Sequence, residues 1–197
     1  MNEDTNIQHA IESISEQYSP LTDNCRSDLC NLLRIQTIPK NTVLVKEGQF
    51  ANKTYFIVKG CLRAYYLKEG KDITDWLAFD NEFINSINSY FLEVPSPHFI
   101  ETLESTKLIE FCKKDVETLL DKYPDFDRLL RIAVTKVMLQ LQQRIVSIQF
   151  ETAIQKYESL LIQRPDITAR VPLTHIASFL GITLETLSRI RNIKSRI

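Results

Sequence analysis

The 197-residue sequence predicts an α+β chain: an N-terminal antiparallel β-barrel of jelly-roll type, a long central helix, and a C-terminal all-α helix-turn-helix. Three observations predict it. Between Ile35 and Phe79, short β-branched and aromatic runs ("TVLVKEG", "KTYFIVKG", "CLRAYYLKEG", "KDITDWLAF") are punctuated by Gly48, Gly60 and Gly70, three of only four glycines in the chain. Strands parted by turns every ten residues or so build a sandwich or barrel. From Asp125 to about Ile148 the apolar period becomes helical, with no glycine or proline to interrupt it. Near the end, "LTHIASFLGITLETLSRIRN" spaces Ala177, Gly181 and Leu187 as two helices crossing at a sharp turn require.

Each element follows in order. Residues 6–34 read as helix, broken at Ser19–Pro20. The strands of 35–79 give way to a less regular stretch, 80–105, and then to one more strand, "KLIEFC". "KKDVETLLDKY" reads as a short helix stopped before Pro124, which suits the first turn of the next one. On the long helix one stripe runs Leu130, Val134, Val137, Leu141, Ile148, close to an a/d alternation, and a second holds Leu129, Ala133 and Met138. Two stripes ask for two partners, the chain's own barrel and a second copy of the chain; the other reading is a helix buried within one domain. A helix over about 151–163 ends at Arg164–Pro165, and "DITARVPL" holds a possible short strand. The domains read as 1–124 for the barrel and its flanking helices, 125–149 for the central helix, and 150–197 for the helix-turn-helix.

Composition bounds the function. At 44% apolar and 25% charged residues, the chain is ordinary globular protein. "MNEDTNIQHA" lacks a secretory pattern and no run approaches ~18 apolar residues, so the expectation is a cytoplasmic protein with no membrane span. Cys25, Cys30, Cys61 and Cys112 have no C-x-x-C spacing, and His9, His98 and His175 are scattered, so neither a metal nor another cofactor is expected. From Gln140 onward eight basic residues face four acids, a balance of +4; the rest holds 16 basic and 21 acidic residues, a balance of −5. A basic C-terminal part points to a polyanion, although uneven solvation charge has the same look.

The two terminal helices carry the chemistry. Ile176, Ala177 and Leu180 share one face, Gly181 permits the left-handed backbone that ends the first helix, and Thr183 can cap the second. Leu187 and Ile190 continue the inner face. The outer face then holds Glu185, Ser188, Arg189 and Asn192 at i, i+3, i+4 and i+7. A helix laid in a major groove shows such a face to base edges: arginine donates twice to guanine, and glutamate accepts from cytosine. Thr174, Thr183 and the basic tail (Arg191, Lys194, Arg196) suit phosphates, which fix position without reading sequence. The competing reading is a two-helix corner in an unrelated core, its polar face merely wet.

"VPLTHIASFLGITLETLSRIRN", together with "VLVKEGQFANKTYFIVKGCLRAYYLKEGKDITDWLAF" and the order of parts, resembles the Crp–Fnr superfamily of bacterial transcription regulators over about residues 20–192. The resemblance implies a cyclic-nucleotide-binding-like barrel, a homodimer joined along the central helix, double-stranded DNA with a near-palindromic operator as partner, and RNA polymerase as a further one. It carries base contacts onto Glu185, Ser188 and Arg189, in the run Glu185, Thr186, Ser188, Arg189. Two departures stand out. Leu184 replaces the arginine of the catabolite-regulating branch and could touch a thymine methyl instead. The sequence also ends five residues after Asn192, leaving little or no room for the wing of a winged helix.

Family members that bind cyclic AMP use a cassette with a Gly-Glu pair at the start of a small helix and an arginine about ten residues later: helix N–H groups and the guanidinium neutralise the phosphate, and the glutamate accepts from the ribose hydroxyl. Here Asn85-Ser86 take the first position and the arginine falls near Ser96–His98. From Asp72 to Thr106 there is no lysine or arginine but seven acids: Asp72, Asp75, Asp80, Glu82, Glu93, Glu101 and Glu104. A buried phosphate without a fixed cation is strongly disfavoured, so no response to cyclic AMP or GMP is expected; Arg63 could supply the charge only by an arrangement unlike the family's. The candidate pocket comprises Arg63, Phe79, Phe83, Asn85, Ser86, Tyr90 and Phe99, with Ile87 and Phe91 adding to its apolar character. It suits an uncharged ligand or a barrel packed shut, the commoner fate of an aromatic cluster. The resulting expectation is a sequence-specific DNA-binding regulator; the alternative is a ligand-binding or protein-interaction module of the same fold that has lost DNA binding. An enzyme is not expected: there is no clustered His-x-His as metal-dependent cupins need, and no Ser-His-Asp set that the sequence can bring together.

Overall fold

The computed structural model describes residues 3–194. Helices α1 (Glu3–Gln17) and α2 (Asp23–Leu32) are separated at Ser19–Pro20, and Thr22 caps α2 by accepting from the Cys25 N–H. Eight strands follow, β1 (Ile35–Ile38), β2 (Val43–Val45), β3 (Lys53–Lys59), β4 (Leu62–Lys68), β5 (Lys71–Ala78), β6 (Phe83–Asn85), β7 (Phe99–Thr102) and β8 (Thr106–Cys112), with the short helix α3 (Ile87–Leu92) between β6 and β7. They form two four-stranded sheets, β1-β8-β3-β6 and β2-β7-β4-β5, in which every neighbouring pair is antiparallel. This is the expected jelly-roll-like layout.

Alternation decides what each sheet encloses. Leu62, Ala64, Ala78, Ile84, Ile100 and Leu108 point inward and make the barrel core with Val45, Tyr55 and Ile57. Gly60, between β3 and β4, has φ +134, and a Cβ there would stand 2.4 Å from Thr106 Oγ1, so the crossing is open to glycine alone. The β4–β5 hairpin closes on Glu69-Gly70, both at positive φ (53 and 75), as a two-residue primed turn requires.

After β8 the chain is helical: α4 (Lys113–Lys122), α5 (Pro124–Phe150), α6 (Ala153–Gln163), α7 (Ile167–Arg170), α8 (Leu173–Leu180) and α9 (Leu184–Lys194). Pro124 sits in the first turn of α5, and Asp125 accepts from the Thr22 N–H at 2.6 Å, pinning that end to α2. A capping box of Thr152 and Gln155 opens α6. "DITARVPL" is not a strand. The segment satisfies its backbone locally as α7, with Val171 N–H donating to Ile167 O, and Ile167 is fully buried.

The two stripes of α5 separate along its length. Phe126 and Leu129 pack with α1, α2, α4 and Phe56, Ile109 and Phe111 of the barrel, and Ala133 is buried one turn on. Beyond them Val134, Met138, Leu139, Leu141, Ile145, Val146, Ile148 and Phe150 are all exposed. Met138, expected with the buried stripe, is 59% exposed, because the N-terminal helices end before they reach it. Of the expected dimer stripe, Leu130 packs against the N-terminal cluster and Val137 is half-buried, while Val134, Leu141 and Ile148 are exposed among the described residues. No helix is long and apolar enough to cross a membrane.

Candidate nucleic-acid interface

The turn between α8 and α9 is built by one residue. Gly181 takes φ 66 and ψ 34, its N–H donates to Ser178 O, and Ile182 N–H donates to Ala177 O at 3.0 Å, satisfying the last carbonyls of α8. Thr183 then caps α9: its Oγ1 accepts from Thr186 N–H at 3.1 Å. Ile176, Ala177, Leu180, Leu187 and Ile190 are buried in one cluster, which fixes the rotation of α9 about its axis. That rotation leaves Leu184, Glu185, Ser188, Arg189, Arg191 and Asn192 exposed, a polar ridge along the whole helix. Its own backbone N–H and the Thr183 hydroxyl hold the Glu185 carboxyl below the usual range, so it stays an acceptor. Thr174 is exposed at the start of α8. Lys194 ends α9, but its side chain and the whole of Arg196 lie outside the described residues.

The helix pair does not stand clear of the barrel. It packs on the outer face of β2-β7-β4-β5, and Cys61, Leu77, Phe79 and Leu103 of the sheet share its core. One buried guanidinium ties the junction. Arg63 donates to Glu101 (2.6 Å), Asp72 (2.7 Å) and Thr74 Oγ1 (3.3 Å), and its Nη1 lies 2.9 Å from His175 Nδ1. Since arginine only donates, His175 must accept there as the neutral Nε2–H tautomer. Burial, and then Arg63, hold the His175 pKa below its ordinary 6.5. Thr74 N–H donates to Ser178 Oγ (2.9 Å), Arg144 lies over the Phe179 ring, and Arg164 pairs with Glu82. Arg170 bridges Asp80 (2.9 Å), Glu104 (2.6 Å) and the Gly60 carbonyl (2.9 Å).

These pairs overturn part of the charge argument. Of the seven acids between Asp72 and Thr106, six are ion-paired: Asp72 and Glu101 with Arg63, Glu82 with Arg164, Asp80 and Glu104 with Arg170, and Glu93 with Lys113. Those meeting Arg63, Arg164 and Arg170 serve the junction rather than repelling a ligand at the barrel mouth. His175, Ser178 and Arg170 are not legible as a set in the sequence, since their barrel partners lie 66 to 112 residues away.

Nor does the barrel gather the expected pocket set. Arg63 and Phe99 lie on the outer face, where Phe99 stacks on Tyr65 at 5.1 Å. Phe79 lies under Arg164 and Arg170, and Phe83 packs with Tyr18, Phe56 and Phe111. Ile87 and Phe91 are exposed on α3. Strict alternation, which sets Arg63 opposite Leu62 and Ala64, was the signal that could have placed it. Asn85, Ser86 and Tyr90 do remain together, with Asn85 donating to Thr54 Oγ1. Ser86 Oγ and Ser96 Oγ, at the positions of the cassette glutamate and arginine, are 2.8 Å apart, and Ser96 donates to His98 O at 2.7 Å. The buried His98 has no hydrogen-bond partner for either ring nitrogen among the described residues, and burial lowers its pKa. Cys25 and Cys61 are buried thiols, and burial pushes Cys25 up to about 12.

Comparison with known proteins places this geometry. Residues 35–123 match the family described as the cyclic nucleotide-binding domain. No curated protein matches the sequence. Among solved structures, FixK2 from Bradyrhizobium japonicum is similar with a TM-score of 0.70 at 18% identity, covering 81% of this chain and 83% of that one. The c-di-GMP-responsive global regulator CLP of Xanthomonas campestris gives 0.66 at 13% identity, over 89% and 93%. A candidate transcriptional regulator of the Crp/Fnr family from Eubacterium rectale gives 0.67 at 18%, over 89% and 85%. The chain therefore has the fold of these Crp/Fnr-type structures, and its residues 35–123 are similar to the cyclic nucleotide-binding domain.

Proposed function

We propose that this chain, with its Crp/Fnr fold, is a homodimeric, sequence-specific DNA-binding transcription regulator that does not respond to cyclic nucleotides and acts by binding rather than catalysis. The observation that carries the reading is the orientation of α9: its apolar side is sealed by Leu187 and Ile190, and Glu185, Ser188, Arg189 and Asn192 form a continuous outer ridge. Such a ridge fits a major groove about 12 Å wide. Glu185, Ser188 and Arg189 read bases, Leu184 touches a thymine methyl, and Thr174, Thr183, Arg191 and Lys194 meet phosphates.

The uncovered distal half of α5 supports a dimer. Pairing along Val134, Leu141 and Ile148 removes that surface from water and sets two α9 ridges about one helical turn, ~34 Å, apart on a near-palindromic operator. Resemblance alone adds RNA polymerase as a partner and the cytoplasm as the place. In the barrel, Ser86 and Ser96 bond each other where a cyclic nucleotide would need a glutamate for its ribose hydroxyl and a guanidinium for its phosphate. The proposed division of labour is a sensor over 1–124, a dimerisation helix over 125–149 and a DNA-reading unit over 150–197.

Selection from random duplexes followed by anisotropy titration at several salt concentrations tests the reading. The expected result is a near-palindromic site whose binding weakens steeply with salt. No binding at low salt would leave the chain as a ligand-binding or interaction module. Titration calorimetry with cyclic AMP and GMP should show no heat of binding, and micromolar binding would overturn that part alone.

A further inference from the structure

We propose that the tip of the β4–β5 hairpin, through Lys68 and Lys71, is a second DNA-contacting element, clamping the phosphate backbone beside α9. The inference rests on the DNA-binding reading above and adds a surface that lies outside the helix-turn-helix.

The C-terminal unit looks basic in sequence, but its charges are committed elsewhere. Arg164 and Arg170 are ion-paired with sensor carboxylates, Arg144 lies over Phe179, and Lys156 donates to Ile148 O. Among basic residues there with described side chains, that leaves Arg189 and Arg191. Duplex binding at physiological salt draws on several phosphate contacts, so other cations must be brought to the backbone.

The hairpin is placed to bring them. Lys68 and Lys71 stand directly opposite each other across the two-residue turn. Both are exposed, and neither forms an ion pair among the described residues. Like charges directly opposite on a two-stranded ribbon repel, and an anion lying across both relieves it. These lysines line one open cleft, of about 530 Å³, together with Thr174, Thr183 and Leu184. Those three residues belong to the proposed DNA-facing surface. Glu69 and Asp72 also line the cleft; Asp72 is ion-paired with Arg63, which shares its charge with Glu101, and Glu69 offsets one lysine.

Thr74 N–H donates to Ser178 Oγ, Asp72 pairs with Arg63, and Arg63 reaches His175. The hairpin therefore moves as one piece with α8, and a backbone held by Thr174 and Thr183 meets its tip in a fixed register. An acidic tip in the same place would bar the duplex, whereas this one attracts it.

The test compares wild type, K68Q/K71Q, E69Q and R189A on the selected operator and a scrambled duplex across salt concentrations. All four substituted positions are exposed, and unchanged thermal midpoints would show that the fold is retained. The double variant should flatten the salt dependence by about 2 in the slope of log K against log[salt], with equal losses on both duplexes. E69Q should tighten binding to both, and R189A should lose preference for the operator. An unchanged slope in the double variant, or tighter binding by it, would overturn the clamp while the regulator reading stands. A wild type that binds neither duplex at low salt would remove both.

Discussion

Two sets of arginines in this chain meet opposite fates. Arg63, Arg164 and Arg170 are held among carboxylates at the junction between sheet and helix pair; Arg189 and Arg191 stand open on α9. The residue type is the same, and what differs is whether an acid from a distant part of the chain has been folded against it. A charge balance taken along the sequence pools both sets, and here it credits to DNA a positive charge that the protein spends on itself. The junction set contributes to holding the fold, and the open set contributes to binding, so the two should answer differently to every perturbation.

The largest contrast comes from removing the junction guanidinium. Arg63→Ala strands Glu101 and Asp72 beside a buried site, and truncating one partner of such a cluster costs about 3–5 kcal/mol. Urea denaturation should show it as a drop in midpoint. Arg189→Ala should move that midpoint by no more than about 0.5 kcal/mol, yet cost ~1–3 kcal/mol of operator affinity and relax preference at one base pair. If the two variants behaved alike in both assays, the division between structural and reading arginines would be gone.

The exposed half of α5 gives a second contrast, between faces rather than charges. Leu141→Asp with Ile148→Asp should leave the monomer folded, because both side chains are exposed, but shift sedimentation from dimer to monomer and weaken operator binding far more than binding to a single half-site. Leu129→Asp, by comparison, buries a charge in the N-terminal core and should unfold the protein.

The smallest expected effect is a pH dependence. His175 and His98 both have folded-state pKa values held below 6.5. A basic group depressed on folding binds its proton more readily in the unfolded chain, so its contribution is complete above about 6.5 and declines as pH falls from there toward the folded value. Thermal melts should lose stability as pH falls below about 6.5. His175→Gln keeps an acceptor for Arg63 and removes one titration, so its curve should be flatter; an identical curve would show that the junction histidine does not titrate.

How much of this the sequence declares depends on the range of the interaction. The turn at Gly181, the cap at Thr183 and the inward Leu187 are set by neighbours within a few residues, and they are legible. So are the turns at Gly48, Gly60 and Gly70, all at positive φ. The junction is not, because Arg63 finds His175 only after the sheet has folded and α8 has crossed it. Phe79, Phe83 and Phe99 look alike in sequence as pocket aromatics, yet they belong to three different surroundings, since aromatic content says that a residue packs but not against what. Arg63 is the instructive miss: its neighbours Leu62 and Ala64 both face the barrel core, and period-two alternation alone turns it outward.

Because Cys61, Leu77, Phe79 and Leu103 complete the core in which Ile176 and Leu187 are buried, the C-terminal helices borrow part of their interior from the strands. Transplanting them onto an unrelated sensor would leave that interior gaping and two arginines, Arg164 and Arg170, without their carboxylates. A working graft would have to carry the outer surface of β4, β5 and β7 with it, so the natural unit of exchange for this protein includes a strip of the barrel.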